Sequence, residues 1–424
     1  CGDSSPPSAI EASPQPTVTP AAIETEPPPV EVPLDQNLHF SHLTTEDGLS
    51  EGRVWDIMQD SSGFMWFATF EGLNRYDGYS FTVYKQERNN PNSPGGVAFL
   101  PIHEDRHGMI WAGSHNGGGL SRFNPITEQW TRFQHNPDDP QSLSSNNVFS
   151  ILEDSNGVLW IGTAGVGLNR FDGETEDGQA HFTRYQHDPD DSQSLGSGFP
   201  TSIYEDGAGS LWISSSESGL SRFDPQTESF THFQNDPENP DSLSYDFIWS
   251  VYQDQSGTIW VGTYGGGLNH FNPETETFTR YQHDPEDPHS LSGNTVVDIQ
   301  EDQAGALWIA TFDGGLNRYN PESDNFTAYQ HDSLDPRSLN SNSLASLFTD
   351  RTGILWVGTA GSGLNKLDPR QQGFALIQHD PDNDNSLSGN DVRSVLVDQS
   401  GDLWIGTFDG LNRFNIEGKL SRER

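Results

Sequence analysis

Val148-Phe149-Ser150-Ile151-Leu152-Glu153-Asp154-Ser155-Asn156-Gly157-Val158-Leu159-Trp160-Ile161-Gly162-Thr163, residues 148–163, is the stretch from which the rest of the chain can be read. Two short apolar runs, Val148–Glu153 and Leu159–Thr163, flank Asp154-Ser155-Asn156-Gly157, where glycine supplies the positive φ of a tight hairpin. Leu168–Phe171 and His181–Tyr185 read as two further strands, so residues 146–187 hold a four-stranded unit. The turn recurs at Asp60–Gly63, Asp254–Gly257 and Asp302–Gly305, and no segment has a helical period.

The marker of the unit is a tryptophan inside the second apolar run. It occurs eight times, at Trp66, Trp111, Trp160, Trp212, Trp260, Trp308, Trp356 and Trp404, at intervals of 45 to 52 residues. A four-stranded unit of that length cannot bury both faces of its sheet until it stacks radially on copies of itself, which is the logic of a β-propeller blade. The repeated tryptophan is then expected to pack blade on blade. The fold expected is all-β, a single propeller of eight blades. Its last repeat has strands at Val392–Val397, Leu403–Thr407 and Leu411–Phe414 without an evident fourth, and Asn37–Leu43 reads as a spare strand that would complete it and leave no open edge. The alternative is seven blades plus an orphan eighth repeat: repeats one and eight share the shorter loops Thr69-Phe70-Glu71-Gly72 and Thr407-Phe408-Asp409-Gly410.

Asp47-Gly48-Leu49-Ser50, Val54–Asp60, Gly63–Thr69 and Gly72–Gly78 resemble the two-component regulator propeller repeat, as do the later Gly-Leu-Asn-Arg-Phe copies. The resemblance implies an extracytoplasmic sensor of the hybrid histidine kinase type that recognises oligosaccharides or other small molecules. Members of that family commonly carry a second ring and a cytoplasmic transmitter, so the chain reads either as a stand-alone sensor or as part of a longer one. With no transmitter motif of its own, the chain would signal through a membrane partner.

Residues 1–36 form a separate segment: nine of the 27 prolines, no Lys or Arg and few large apolar side chains, too little to offset chain entropy. The segment is expected to be a disordered tether ahead of a sensor domain spanning 37–424. Its start, Cys1-Gly2-Asp3-Ser4-Ser5, resembles a processed bacterial lipoprotein, in which Cys1 would carry the lipid and hold the protein on the extracytoplasmic side of a membrane. No run of 18 apolar residues occurs. With 62 acidic against 21 basic residues, a formal charge of −41, the surface repels phosphate, which excludes nucleic acid and anionic membrane surfaces as partners.

If the ring binds a ligand, the loops around one end of its channel should do so, where otherwise uniform repeats diverge. In the loops between second and third strands these positions are Phe70, His115, Ser216, Glu217, Tyr264, Phe312 and Phe408; at the entry to the inner strands they are Arg53, Asn147, Phe199, Phe247, Asn294, Asn342 and Asn390. Aromatic, amide and imidazole groups stack on and hydrogen-bond a polar ring-shaped ligand. The linkers between blades, Gln-His-Asp-Pro-x-Asp-Pro-x-Ser-Leu-Ser, read as rigid turns, and no cofactor is expected. Ca²⁺ at carboxylates such as Asp188, Asp190 and Asp191 is the alternative there, without the spacing of a known calcium loop. No nucleophile elbow, phosphate loop or kinase motif occurs, so a binding module is expected rather than an enzyme. Two other classes stay open. A lyase resembling streptogramin lyases would need His115 near an acid such as Glu217, and a structural scaffold would need neither.

Overall fold

A computed structural model describes residues 38–165, 167–176, 178–368, 379, 386–398, 400, 402–414 and 420–423. The tether assigned to residues 1–36, with Cys1, lies outside them. Apart from one short 3-10 turn at Thr45–Asp47, the secondary structure of the described residues is all β.

Strand β1 (Phe40–Leu43) comes first. Blade 1 is β2 (Val54–Gln59), β3 (Met65–Thr69), β4 (Gly72–Tyr76) and β5 (Phe81–Tyr84). Blade 2 is β6 (Phe99–Glu104), β7 (Ile110–Ser114), β8 (Leu120–Asn124) and β9 (Gln129–Phe133); blade 3 is β10 (Val148–Glu153), β11 (Leu159–Thr163), β12 (Gly167–Glu174) and β13 (Ala180–Tyr185). Blade 4 is β14 (Pro200–Glu205), β15 (Leu211–Ser215), β16 (Leu220–Asp224) and β17 (Ser229–Phe233); blade 5 is β18 (Ile248–Gln253), β19 (Ile259–Thr263), β20 (Leu268–Asn272) and β21 (Thr277–Tyr281). Blade 6 is β22 (Val296–Glu301), β23 (Leu307–Thr311), β24 (Gly315–Asn320) and β25 (Asn325–Tyr329); blade 7 contributes β26 (Leu344–Thr349), β27 (Leu355–Thr359) and β28 (Leu364–Leu367). A further sheet holds β29 (Val392–Val397), β30 (Leu403–Thr407), β31 (Gly410–Phe414) and β32 (Leu420–Glu423).

The eight expected four-stranded antiparallel sheets are therefore present, but the closure differs from the eight-blade expectation. Strand β1 pairs with β28, Phe40 opposite Leu367 and Leu43 opposite Leu364, and completes blade 7. Leu38 and Phe40 bury their side chains with Leu344, Leu347, Leu355 and Leu367. Inner strand β26 packs on β2, so the ring closes at seven blades. The eighth repeat needs no strand from the N-terminus because β32 pairs with β31. Seven blades plus a separate eighth repeat, the alternative reading, is the arrangement found.

One carboxylate ties each hairpin to its tryptophan. In blade 3, Asp154 Oδ1 accepts the Val158 N–H across the turn at 2.9 Å while Oδ2 accepts the Trp160 indole N–H at 2.9 Å. The same indole bond recurs in all eight sheets, from Asp60–Trp66 at 2.7 Å to Asp398–Trp404 at 2.7 Å. It lets an indole N–H be buried without an unpaired donor. The ring tryptophans pack on the third strand of the next blade, Trp111 on Phe171, Trp160 on Phe223, Trp212 on Phe271 and Trp260 on Tyr319, with ring centres 5.1–5.5 Å apart.

The linkers are pinned just as firmly. His135, His187, His283, His331 and His379 each place Nδ1 at 2.6–2.9 Å from a leucine carbonyl of the same linker. Asp188 Oδ1 accepts the Asp190 N–H, a turn cap. Among the described residues no three His, Cys, Asp or Glu side chains are grouped to hold a metal ion.

Candidate functional site: the mouth of the channel

Successive residues of an inner strand point to opposite sides, so the second residue of each faces the ring axis. These residues are Trp55, Leu100, Phe149, Thr201, Trp249, Val297 and Ala345, which with their neighbours line an axial cavity of about 200 Å³. The loop between second and third strands is held over the same end of the ring by a repeated backbone bond. His115 N–H donates to Ala98, Ser216 to Phe199, Tyr264 to Phe247 and Phe312 to Thr295, at 2.9–3.2 Å.

These two tiers meet in a continuous run of rings. Phe199 packs on Phe149 with centres 4.3 Å apart, and Phe149 meets His115 edge-on at 5.1 Å. His115 stacks nearly parallel on Phe70 at 5.6 Å, and Phe70 on Trp55 at 5.5 Å. Trp55 of blade 1 then reaches Trp249 of blade 5 at 6.4 Å, and Trp249 continues to Phe247 and Tyr264. Phe247 and Tyr264 stack at 5.0 Å. The Arg53 guanidinium lies 5.8 Å from the centre of Phe70 and pairs with Glu51 at 3.6 Å, the one cationic side chain in the run.

Two polar atoms within this apolar run have no hydrogen-bond partner, Trp55 Nε1 and His115 Nδ1. Burial pushes the His115 imidazole below its ordinary value, so the ring is neutral near pH 7. Next to the run, blade 7 carries the small residues Ser343, Ala360 and Gly361 at the mouth, with Ala360 bridged to Arg53 of blade 1. The mouth thus combines an aromatic wall, orphan hydrogen-bonding groups and a low, small-residue rim.

The third residue of each inner strand sits against the neighbouring blade. In most blades it is serine, and Ser150 and Ser346 donate to the Pro200 and Val54 carbonyls of the next blade at 3.2 and 2.9 Å. In blades 1 and 6 it is Asp56 and Asp298. Burial pushes both carboxyls up to about 7 despite the lowering effect of the backbone N–H groups they accept, and the charge of Asp298 adds to the rise at Asp56.

Of the positions singled out from sequence, Arg53, Phe70, His115, Phe199, Phe247 and Tyr264 come together in the run. Phe312 is half-buried against the core shared by blades 6 and 7, and Asn147 anchors its loop through its carbonyl, which accepts Ala164 N–H. Asn294, Asn342 and Asn390 stand one residue earlier in the repeat than Asn147. Their Oδ1 atoms accept the linker N–H groups of His283, His331 and His379 at 2.6–2.8 Å, as Asn146 does for His135. Ser216 Oγ accepts the Phe199 N–H, Glu217 is exposed, and Phe408 belongs to the eighth sheet, where it is 78% exposed. Trp55, Phe149 and Trp249 were not among the candidates. The sequence does carry a signal for them: eight of the 11 tryptophans mark repeats, and two of the remaining three occupy the same inner-strand position.

Comparison with known proteins adds four findings. Residues 48–71, 142–165, 242–265, 290–313 and 386–409 match the two component regulator propeller. Histidine kinase P4 of Formosa agariphila is 41% identical over 64 residues, which are 15% of this chain and 4% of the kinase. The extracellular domain of the putative hybrid two component system BT3049 from B. thetaiotaomicron is 30% identical, with a TM-score of 0.73 over 91% of this chain; the chain spans 49% of that structure, about half its length. Virginiamycin B lyase from Staphylococcus aureus, 14% identical with a TM-score of 0.58 over 78% of this chain and 99% of its own, shares the fold. The five matched segments each fall on a hairpin of the geometry described above, so this chain carries two component regulator propeller repeats.

Proposed function

We propose that the ring is the extracytoplasmic, non-catalytic ligand-binding sensor of a two-component-type signalling system. It takes a carbohydrate or another polar ring-shaped molecule at the channel mouth and passes the signal to a membrane partner by contact. The observation that carries this reading is the run of stacked rings from Phe199 to Tyr264, crossing the channel at Trp55 and Trp249. Aromatic faces stack on the apolar face of a sugar ring, while the half-exposed Arg53 guanidinium supplies hydrogen bonds to its edge. The BT3049 domain, an extracellular part of a hybrid two component system, supports the sensor role and the location. Cys1 as a lipid-bearing residue would hold the sensor at the membrane without requiring a spanning helix, and none of the described helices is long and apolar enough to cross.

A thermal-shift screen of the chain against oligosaccharides tests the reading. A ligand bound only by the native state raises Tm with concentration. The expected result is a saturable rise with at least one sugar class that is lost in Phe70→Ala and Tyr264→Ala; a rise unchanged in both variants places the ligand elsewhere. Turnover of the sugar instead of binding would contradict the sensor reading in favour of a lyase or hydrolase.

A further inference from the structure

The third inner-strand position forms one level of the ring. Asp56 and Asp298 share it with serine in blades 3, 4, 5 and 7 and with Pro101 in blade 2. Both carboxylates border the axial cavity, whose volume of about 200 Å³ has room for several water molecules. Asp56 Oδ2 accepts the Ile102 N–H of blade 2 and Oδ1 the Ile57 N–H, both at 2.8 Å. Asp298 Oδ2 accepts the Leu347 N–H of blade 7 at 2.7 Å and Oδ1 the Ile299 N–H at 2.8 Å. One N–H donor on each oxygen favours the charged form and leaves every oxygen a second lone pair. Burial opposes that charge, and the field of Asp298 adds to the cost at Asp56. A counter-charge is what the pair lacks: among the described residues that line the cavity there is no Lys, Arg or His. Two carboxylates beside one narrow space without a cation are costly to keep charged.

A hydroxyl on the same wall points to a ligand independently. Ser150 and Ser346 donate to the Pro200 and Val54 carbonyls of the next blade. Ser250, on the cavity wall and 8% exposed, makes no such bond, and its Oγ is buried without a partner. Ser202 beside it holds Ser214 through its backbone N–H and carbonyl, which leaves its hydroxyl uncommitted among the described residues.

We infer that the axial cavity is a binding site for one hard divalent cation, Ca²⁺ or Mg²⁺, neutralised by Asp56 and Asp298 of blades 1 and 6 and approached by the Ser202 and Ser250 hydroxyls of blades 4 and 5. Such ions take oxygen ligands and keep part of their water, so two carboxylates, two hydroxyls and water make a site where no three acids or histidines are grouped. Trp55 and Trp249, which meet across the channel, border the same cavity and place the ion against the aromatic bridge of the mouth. The site stands whatever the mouth binds.

Calorimetric titration of the chelator-stripped whole chain with CaCl₂ and, separately, MgCl₂ tests the inference, in roughly 0.15 M NaCl to screen the acidic surface. At least one of the two ions should show one saturable site per chain, about tenfold or more tighter than the surface. Asp56→Asn combined with Asp298→Asn should abolish it. Ser202→Ala with Ser250→Ala, which keeps both charges, should weaken it about threefold or more. Asp188→Asn with Asp190→Asn, in a linker, should leave it unchanged. A native chain with no distinct site for either ion would overturn the inference, whether or not the variants fold. So would a site that survives loss of both cavity carboxylates or disappears with the linker acids.

Discussion

Blade 3 and the eighth sheet are built from nearly the same sequence, yet only one of them has a neighbour on each side. Leu159-Trp160-Ile161-Gly162-Thr163 and Leu403-Trp404-Ile405-Gly406-Thr407 share strand register, and both tryptophans donate to the aspartate that opens the hairpin. In blade 3, Trp160 is 2% exposed and packs on Phe223 of blade 4. In the eighth sheet Trp404 is half-buried, and Val395, Leu396 and Val397 of the inner strand are 61, 64 and 62% exposed. The repeat therefore encodes its hairpins and its Asp–Trp bond locally, whereas the hydrophobic stabilisation comes from neighbours. The inner strands differ at their last position too: Glu104, Glu205 and Glu301 reach back to backbone N–H groups in the turn of the preceding blade, and the eighth sheet has Val397 there.

The sharpest way to break this comparison is to remove the tryptophan from each. Trp160→Ala deletes a fully buried side chain and should cost about 4 kcal/mol in chemical denaturation. Trp404→Ala should cost markedly less, because part of its surface already meets solvent and no ring blade packs on its far side. Equal losses would mean that the eighth sheet is as well packed as a ring blade. A smaller effect sharpens the same contrast: Leu396→Lys should change stability by less than about 0.5 kcal/mol, the range of an exposed position. The corresponding substitution one residue earlier in the ring, Val251→Lys, buries a charge at a 6% exposed site and should prevent cooperative folding of that blade. Circular dichroism melts of the two variants separate the cases.

The blade itself was legible because its signals are local. The strands read as Val148–Glu153 and Leu159–Thr163 have those bounds in the structure, and those read as Leu168–Phe171 and His181–Tyr185 extend by a few residues at their ends. Closure was not legible because it is a choice between two similar acceptors. Leu364-Asn365-Lys366-Leu367 and Leu411-Asn412-Arg413-Phe414 offer the N-terminal strand nearly the same edge, and Leu420-Ser421-Arg422-Glu423 lacks the phenylalanine that marks fourth strands such as those of Phe182, Phe278 and Phe326. At the mouth, loop divergence pointed to the outer tier of rings but not to Trp55, Phe149 and Trp249. Their importance depends on how strand pleating aims them at the axis and on the distance across the channel. The Asn294, Asn342 and Asn390 positions illustrate the complementary difficulty: one residue of offset turns a rim position into a pin for the linker.

The mouth exists in this form only if the ring closes at seven, since Arg53 of blade 1 is bridged to Ala360 of blade 7. Disulfide trapping tests that closure directly, in a chain whose single cysteine is replaced by Cys1→Ser. Ser41 lies opposite Lys366 in the β1–β28 register. The pair Ser41→Cys with Lys366→Cys should oxidise readily to an intramolecular bond, while Ser41→Cys with Arg413→Cys should remain as thiols. A bond formed by the second pair and not the first would contradict the seven-blade ring.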